Sequence, residues 1–526
     1  MSQTVGFSNR PEHVAPNPKT SKNLKPRGGA CAAATKQIDM DINNVRARLL
    51  NGGDVWWDLS KGSYIVPKVP EGSSKKPVSA IYAGAVWVGG YDPSRNLHLM
   101  AQAYRRPSMN DCWPGPLTPN TGETTAEDCL NWDQFFVVLG KSIRDQQKIY
   151  KEVKDTRALT LAEIPEDVLY YPARGNKYFS SKYGFELPFL PQGLGLFYEE
   201  PGSPSDNGIY EPEFGDFPII DIRGCTEPVY PDQMYFWVYN DNGGGAIHTN
   251  SNGEPIRMEV QVQAFAFNTG DEINDMTFQR YKLINRAPQE LEDCYFAMWI
   301  DPDLGCYTDD YVGCNKERSL MYIYNIDPSD GSNGCNCDQG VNTYCTEIPL
   351  LGVDYFRGPL DEFGKELGMS SFMYYNNGSV GNHPAATTDP GTAIEYYRYL
   401  TGHWRDGTPL TKGGSGYNPS SQDTTRYAVS DDPNNQAGWS MCTASLGEGD
   451  RRTLQATGPM KLLPGAINEL IIGVPFVPDQ NYPCPNMDEL YAADKLSQDL
   501  FDNCFKIKDH RLAPRMSNWA FRTLRS

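Results

Sequence analysis

Cys294-Tyr-Phe-Ala-Met-Trp-Ile300 runs directly into Asp301-Pro-Asp303-Leu-Gly305-Cys-Tyr-Thr-Asp309-Asp310-Tyr-Val-Gly313-Cys-Asn315. In the first half Tyr295, Ala297 and Trp299 alternate with Phe296, Met298 and Ile300, and both sets are apolar, which predicts a strand buried on both faces. Such a strand delivers four aspartates to the edge of a core, where clustered carboxylates repel one another and lose hydration. A hard cation relieves both problems. Calcium takes six to eight oxygens in a flexible shell, so Asp301, Asp303, Asp309, Asp310 and Asn315 are the expected ligands, with Gly305 and Gly313 letting the loop fold back. The spacing is not that of an EF-hand, because Gly305 comes one position early and Val312 stands where the bidentate Glu belongs.

Outward from this stretch the pattern stays strand-like. Arg257 to Phe267 alternates strictly, with Met258, Val260, Val262, Ala264 and Ala266 on one face, and Thr277 to Asn285 follows as its partner. With the strand at 294–300 these predict a three-strand antiparallel meander. Ile81 to Val88, Leu320 to Asn325, Thr453 to Pro459 and Glu469 to Val474 read as further strands. Helices are predicted in three places. One spans 126–156 from Leu130, Phe135, Leu139, Ile143, Ile149 and Val153; a short one follows Asp389 and Pro390; the last begins at Asn486 with Glu489 as its capping partner. The expected fold is mainly β, an antiparallel β-sandwich-like core with inserted helices and long loops stabilised by calcium and disulfides. Residues 1–37 read as a flexible arm, 38–475 as the core with a helical insertion at about 126–230, and 476–526 as a helix and basic tail.

The composition agrees. The 526 residues include 31 Tyr, 10 Trp, 49 Gly and 40 Pro, a profile of short strands joined by turns. A formal charge of −19 argues against nucleic acid and anionic membrane as partners, and no apolar run is long enough for a transmembrane helix. Thirteen cysteines, many in loop contexts, favour disulfides and an extracellular or outer cell-surface location. Zinc at Cys335, Cys337 and Cys345 is the weaker alternative, since the spacing lacks a knuckle and no His is near. Asp327, Asp330 and Asn333 offer oxygens for another cation.

Catalytic signatures are sparse among six histidines, with no H-E-x-x-H, G-x-S-x-G or P-loop. Gly438-Trp-Ser440-Met-Cys442 approaches a nucleophile elbow but lacks its final Gly, and His403, Arg405 and Asp406 fit helix-end caps. Trp56 and Trp57 can stack on sugars, although burial is the commoner fate of Trp. Glycoside hydrolysis needs only two placed carboxylates, which sequence cannot locate.

Several phrases are together similar to those of large secreted or surface proteins of Bacteroidetes exported by type IX secretion. They are Asn51-Gly-Gly-Asp54-Val-Trp-Trp-Asp58, Ala80 to Gly90, Trp113-Pro-Gly-Pro116, Tyr210 to Pro218, Gln263 to Phe267, Asp301 to Gly305 with Asp309 to Cys314, and Gly458-Pro459. The resemblance implies export, a β-rich exterior module and calcium loops, and supplies no catalytic residue. In the turn at 206–216 its calcium-loop form opens with several aspartates, where this chain has Ser203 and Ser205. Neither the export signal nor the sorting domain that it implies is found, so a fragment or altered end is expected. The function expected is a secreted or surface structural or binding protein without identifiable catalytic machinery, its partner a glycan, a surface protein or another copy of the chain. The alternative is a secreted hydrolase of polysaccharide or ester.

Overall fold

Nine strands hydrogen-bond into one antiparallel sheet and ten into a second, and the two form a β-sandwich-like core. The computed structural model describes residues 30–511 except 71, 74–75, 107–108, 189–193, 204, 221, 332–334, 336–342 and 508–509. Within the first sheet, Leu291–Asp301 lies between Ala83–Tyr91 and Arg451–Leu462, and Ser371–Asn376 closes that side. An inner strand covered on both faces must be apolar on both, and every residue from Cys294 to Asp301 is buried. Trp299 stacks on Trp87 at 5.6 Å and donates its indole N–H to Tyr375 Oη at 2.8 Å. The neighbouring strand makes room at Gly84, where a Cβ would stand 2.6 Å from the Trp56 ring.

The second sheet runs in the order Asp310–Asn315, Leu320–Asn325, Leu350–Arg357, Ile467–Gly473, Phe278–Asn285, Met258–Ala266, Gln233–Asn240. Met258–Ala266 and Phe278–Asn285 pair as expected. The expected third strand of that meander does not join them. After Asn285 the chain turns a corner into the other sheet, and Ile467–Gly473 takes the vacant side. Asn285 fixes the corner, its amide donating to Gln289 O and Leu463 O and its Oδ1 accepting from Ala287 N. A hairpin and a corner both need only a short connection, and a strand apolar on both faces carries no sign of which sheet it enters.

The polar alternate face of Met258–Ala266 is buried too. Glu259 pairs with Arg286 at 3.1 Å, Arg280 pairs with Glu469 at 3.0 Å, and Gln263 donates to Ile219 O in the insertion. That insertion is not one long helix. Ala126–Trp132 and Gly140–Val153 are separated by Phe136–Leu139, which pairs with Gln233–Asn240. The helix near 390 spans Ala393–Leu400 and is capped by Thr392 with Glu395, while Asp389 instead accepts from Gly378 N. The last helix, Asp488–Asp502, stacks Phe501 on Phe356 and pairs Asp494 with Arg318 at 3.0 Å.

Disulfides join Cys31 to Cys129, Cys225 to Cys504, Cys306 to Cys335 and Cys442 to Cys484, and Cys345 is also oxidised. With Cys335 and Cys345 oxidised, zinc at that cluster is excluded. Cys31 lies in the segment read as a flexible arm and is fixed by its bridge, and Asp133 accepts from the backbone of Thr35 beside it. Four disulfides fit an extracellular protein, and among the described residues no helix is long and apolar enough to cross a membrane.

Two outcomes follow. Thiol reagents should leave the native protein unmodified and, after unfolding without reductant, label Cys112, Cys294 and Cys314, which are buried and unbridged; labelling of the bridged cysteines would contradict the pairing. Replacing Trp299 with Ala should lower stability by about 3–5 kcal/mol in denaturant titration, the usual range for emptying a core aromatic site.

Candidate functional site

Antiparallel pairing explains why the acidic groups meet. Asp301 ends its strand beside the start of Arg451–Leu462, so residues far apart in sequence share one edge of the sheet. There Tyr82, Asp301, Asp303, Tyr307, Asp450 and Arg452 line a cleft of about 280 Å³. Asp301, Asp303 and Asp450 each bring a carboxylate oxygen within 4.8 Å of the other two. Arg452 neutralises part of this charge: its Nε lies 3.2 Å from Asp301 Oδ1, and its Nη1 donates to Asp450 Oδ1. Tyr104 donates to Asp301 Oδ2 and accepts from Arg452 Nε at 3.0 Å. Asp450 Oδ2 accepts from the Asn377 amide at 2.8 Å. The Asp303 carboxyl makes no hydrogen bond or ion pair among the described residues.

Burial pushes the Asp301 carboxyl up to about 7 against the pull of Arg452. Asp303 is raised well above the usual carboxylate range, first by desolvation and then by the charges of Asp301 and Asp450. The cleft therefore sets Asp303, raised by burial and by its acidic neighbours, beside Asp301, which a guanidinium and a phenol anchor.

Asp309 and Asp310 belong to a second group, deeper and on the other sheet. Asp309 Oδ2 accepts from Gly331 N at 2.9 Å, and Asp310 Oδ2 accepts from Leu304 N at 2.9 Å. Asp330 comes in from the next loop, where Cys306 N donates to it at 2.8 Å and Tyr344 N also donates. Desolvation pushes Asp309 up to about 6 and Asp330 up to about 7, and desolvation with the charge of Asp309 raises Asp310 well above its ordinary value. Asn315 joins neither group. It lies at the far end of Asp310–Asn315, where its Oδ1 accepts from Glu317 N and Arg318 N. Arg452, with Gly458-Pro459, belongs to the phrases that carry the family resemblance, but neither it nor Asp450 was expected at the site, because only the sheet register brings them to Asp301. Asn333 lies outside the described residues.

Other sequence candidates have structural duties. Ser440 is 1% exposed and bonds to Thr443 N at 3.1 Å. His403 Nδ1 faces Thr401 at 3.1 Å, Arg405 pairs with Glu395 at 3.0 Å, and Asp406 accepts from Thr408 N at 2.8 Å. Trp56 and Trp57 are fully buried, and Trp57 donates to Asp54 at 2.7 Å. The turn at 206–216 is closed by its own groups: Asp216 accepts from Ser205 Oγ at 2.8 Å and from Glu211 N at 2.7 Å.

No family model matches the chain, and a search of curated proteins returns no match.

Asp216 gives a pH test. Burial pushes its carboxyl up to about 8, from about 4 in an unfolded chain. The folded state then holds the proton more tightly, so this contribution is full below about pH 4 and is lost as pH rises towards 8. Asp216→Asn, which cannot ionise, should gain a few kcal/mol on the wild type, to order of magnitude, between pH 5 and 9 in paired denaturant titrations. A constant difference would refute the assignment.

Proposed function

We propose that this is a secreted or cell-surface binding protein of the type IX secretion kind that its sequence resembles. Disulfides and calcium hold its loops, and the acidic cleft at the loop end engages a glycan. The observation that carries this reading is Asp303: an unpaired carboxyl in an open cleft, between the tyrosines Tyr82 and Tyr307, the latter 43% exposed. Carboxylates accept from sugar hydroxyls, and tyrosine rings cover the apolar face of a sugar while their hydroxyls stay wet. Four disulfides support the extracellular setting.

A second reading, hydrolysis of a glycosidic bond in the same cleft, is favoured by the carboxyl spacing. Carboxylate oxygens within 4.8 Å of one another are closer than the roughly 6.5–9.5 Å that inversion requires, which leaves retention as the geometry to test.

Affinity electrophoresis in gels containing soluble polysaccharides, with turnover of aryl glycosides assayed in parallel, separates the two. The binding reading expects retardation that weakens about tenfold or more in Asp303→Asn and Tyr307→Ala, a loss of about 1.4 kcal/mol, without turnover. Turnover abolished by Asp303→Asn transfers the function to the hydrolase. Neither retardation nor turnover on any substrate overturns both.

A further inference from the structure

The cleft holds its own counter-charge in Arg452, whereas among the described residues Asp309 and Asp310 of the deeper group have no ion-pair partner. Asp309 and Asp310 are each 1% exposed, and the Oδ1 atom of each has no hydrogen-bond partner. Neither carboxylate is ion-paired among the described residues. Their other oxygens are held by Gly331 N and Leu304 N, so the side chains cannot swing out to water without giving up those bonds. Asp309 and Asp330 present oxygens within 4.8 Å of each other, and Asp310 lies within electrostatic reach of both.

The surrounding charges deepen the deficit. Asp327 and Glu448 add negative potential at Asp309. Arg451 is the nearby cation, but its Nη1 donates to Asp310 O at 2.7 Å and to Gly449 O at 3.1 Å, its Nη2 donates to Gly447 O, and its guanidinium lies 5.5 Å from the Tyr311 ring centre. Those donors serve backbone carbonyls, not the carboxylates. Arg451 acts on Asp310 only through space, and buried anions with open lone pairs and no ion-pair partner are what a bound cation satisfies.

We propose that Asp309, Asp310 and Asp330 form a closed calcium site, separate from the cleft, that clamps the loop after the central strand to the loop carrying Asp330. The proposal rests on the reading of calcium-held loops above and assigns the ion to particular residues. The donor set selects the metal class. It consists of carboxylate oxygens, and the cysteines beside it, Cys306, Cys335 and Cys345, are all disulfide-bonded, so they offer no thiolate to a thiophilic metal. Gly305 is built for the same purpose. Its φ is +86°, and a Cβ on it would stand 2.0 Å from Asp330 Oδ2, so only glycine admits that carboxylate.

The test uses the full chain, stripped with EGTA and titrated with calcium chloride by calorimetry, with thermal melts at each calcium level. The wild type should bind calcium and melt several degrees higher. Asp309→Asn and Asp310→Asn should melt higher than the wild type without calcium, because a repelling charge is gone, and should lose the calcium shift; a merely misfolded variant would not show the first effect. Gly305→Ala should weaken calcium binding at least tenfold. Asp303→Asn and Asp450→Asn should keep the full shift. If instead Asp303→Asn and Asp450→Asn abolish the shift while Asp309→Asn and Asp310→Asn retain it, the ion belongs to the cleft, and this assignment fails while calcium-held loops stand. A wild type that binds no calcium overturns both. A magnesium response equal to that of calcium overturns the choice of metal.

Discussion

The loop that leaves the central strand after Asp301 crosses from one sheet to the other and enters Asp310–Asn315, carrying carboxylates through the space where the two sheets meet. The buried parts of that connection, Leu304 to Cys306 with Asp309 and Asp310, must satisfy their backbone and charge inside the protein, while Asp303 and Tyr307 face the cleft. Much of the loop end is explained by this requirement. Leu304 N and Cys306 N go to aspartate oxygens, Gly305 gives way to Asp330, and the Cys306–Cys335 bridge ties the crossing to the next loop. Tyr82 N, donating to Asp301 O at 2.8 Å, continues the hydrogen bonding of the sheet edge up to the point of departure.

The opposite face of the second sheet meets a different demand with a different means. Its charged residues point away from the sandwich interior, under the insertion, and pair as Glu259–Arg286 and Arg280–Glu469. Leu117 N donates to Glu259 at 2.9 Å, so the covering segment is bonded to the network as well as packed on it. Buried ion pairs of this kind add little net stability over an apolar core but are costly to break singly. They favour one seating of the insertion over its alternatives, which an apolar interface would discriminate less sharply.

Much of the β framework was legible because period-two alternation survives burial on one face and a continuous apolar run marks burial on two, as at Met258–Ala266 and Leu291–Asp301. Sheet membership was not legible, since the corner at Asn285 uses the same few residues that a hairpin would. The helical insertion was misread for a related reason. Phe135 and Leu139 fall at a helical spacing with Ile143 and Ile149, yet the buried residues there are Phe136 and Val138, alternate positions of a strand, while Leu139 is exposed and Leu130, 76% exposed, is not part of a buried stripe at all. The aspartates were legible as a concentration of charge needing neutralisation, but their division was not. Asp301 and Asp303 find Asp450 and Arg452 through strand register, Asp309 and Asp310 find Asp330 through a disulfide-bridged loop, and six extended residues carry Asn315 away from both.

The chain buries carboxylates by several routes, and comparing them isolates the unusual case. Asp241 is satisfied by backbone amides, from Ile256 and Met258 at 2.6 Å each, and His248 lies beside it. Asp111 accepts from Asn250 N at 2.9 Å and from Ala101 N at 3.2 Å. Asp494 has Arg318, with Asp354 hydrogen-bonded against it and raised well above its ordinary range by desolvation and by that neighbour. Asp301 has Arg452 and Tyr104. Backbone amides, a guanidinium and a hydrogen bond to a second carboxyl are each used elsewhere in the molecule to satisfy a buried acid. Among the described residues Asp309 and Asp310 receive one amide apiece and no ion pair, and Arg451 reaches Asp310 only through its field. Arg451 aims its donors at backbone carbonyls beside those open carboxylate oxygens, so among the described residues no ion pair answers their charge.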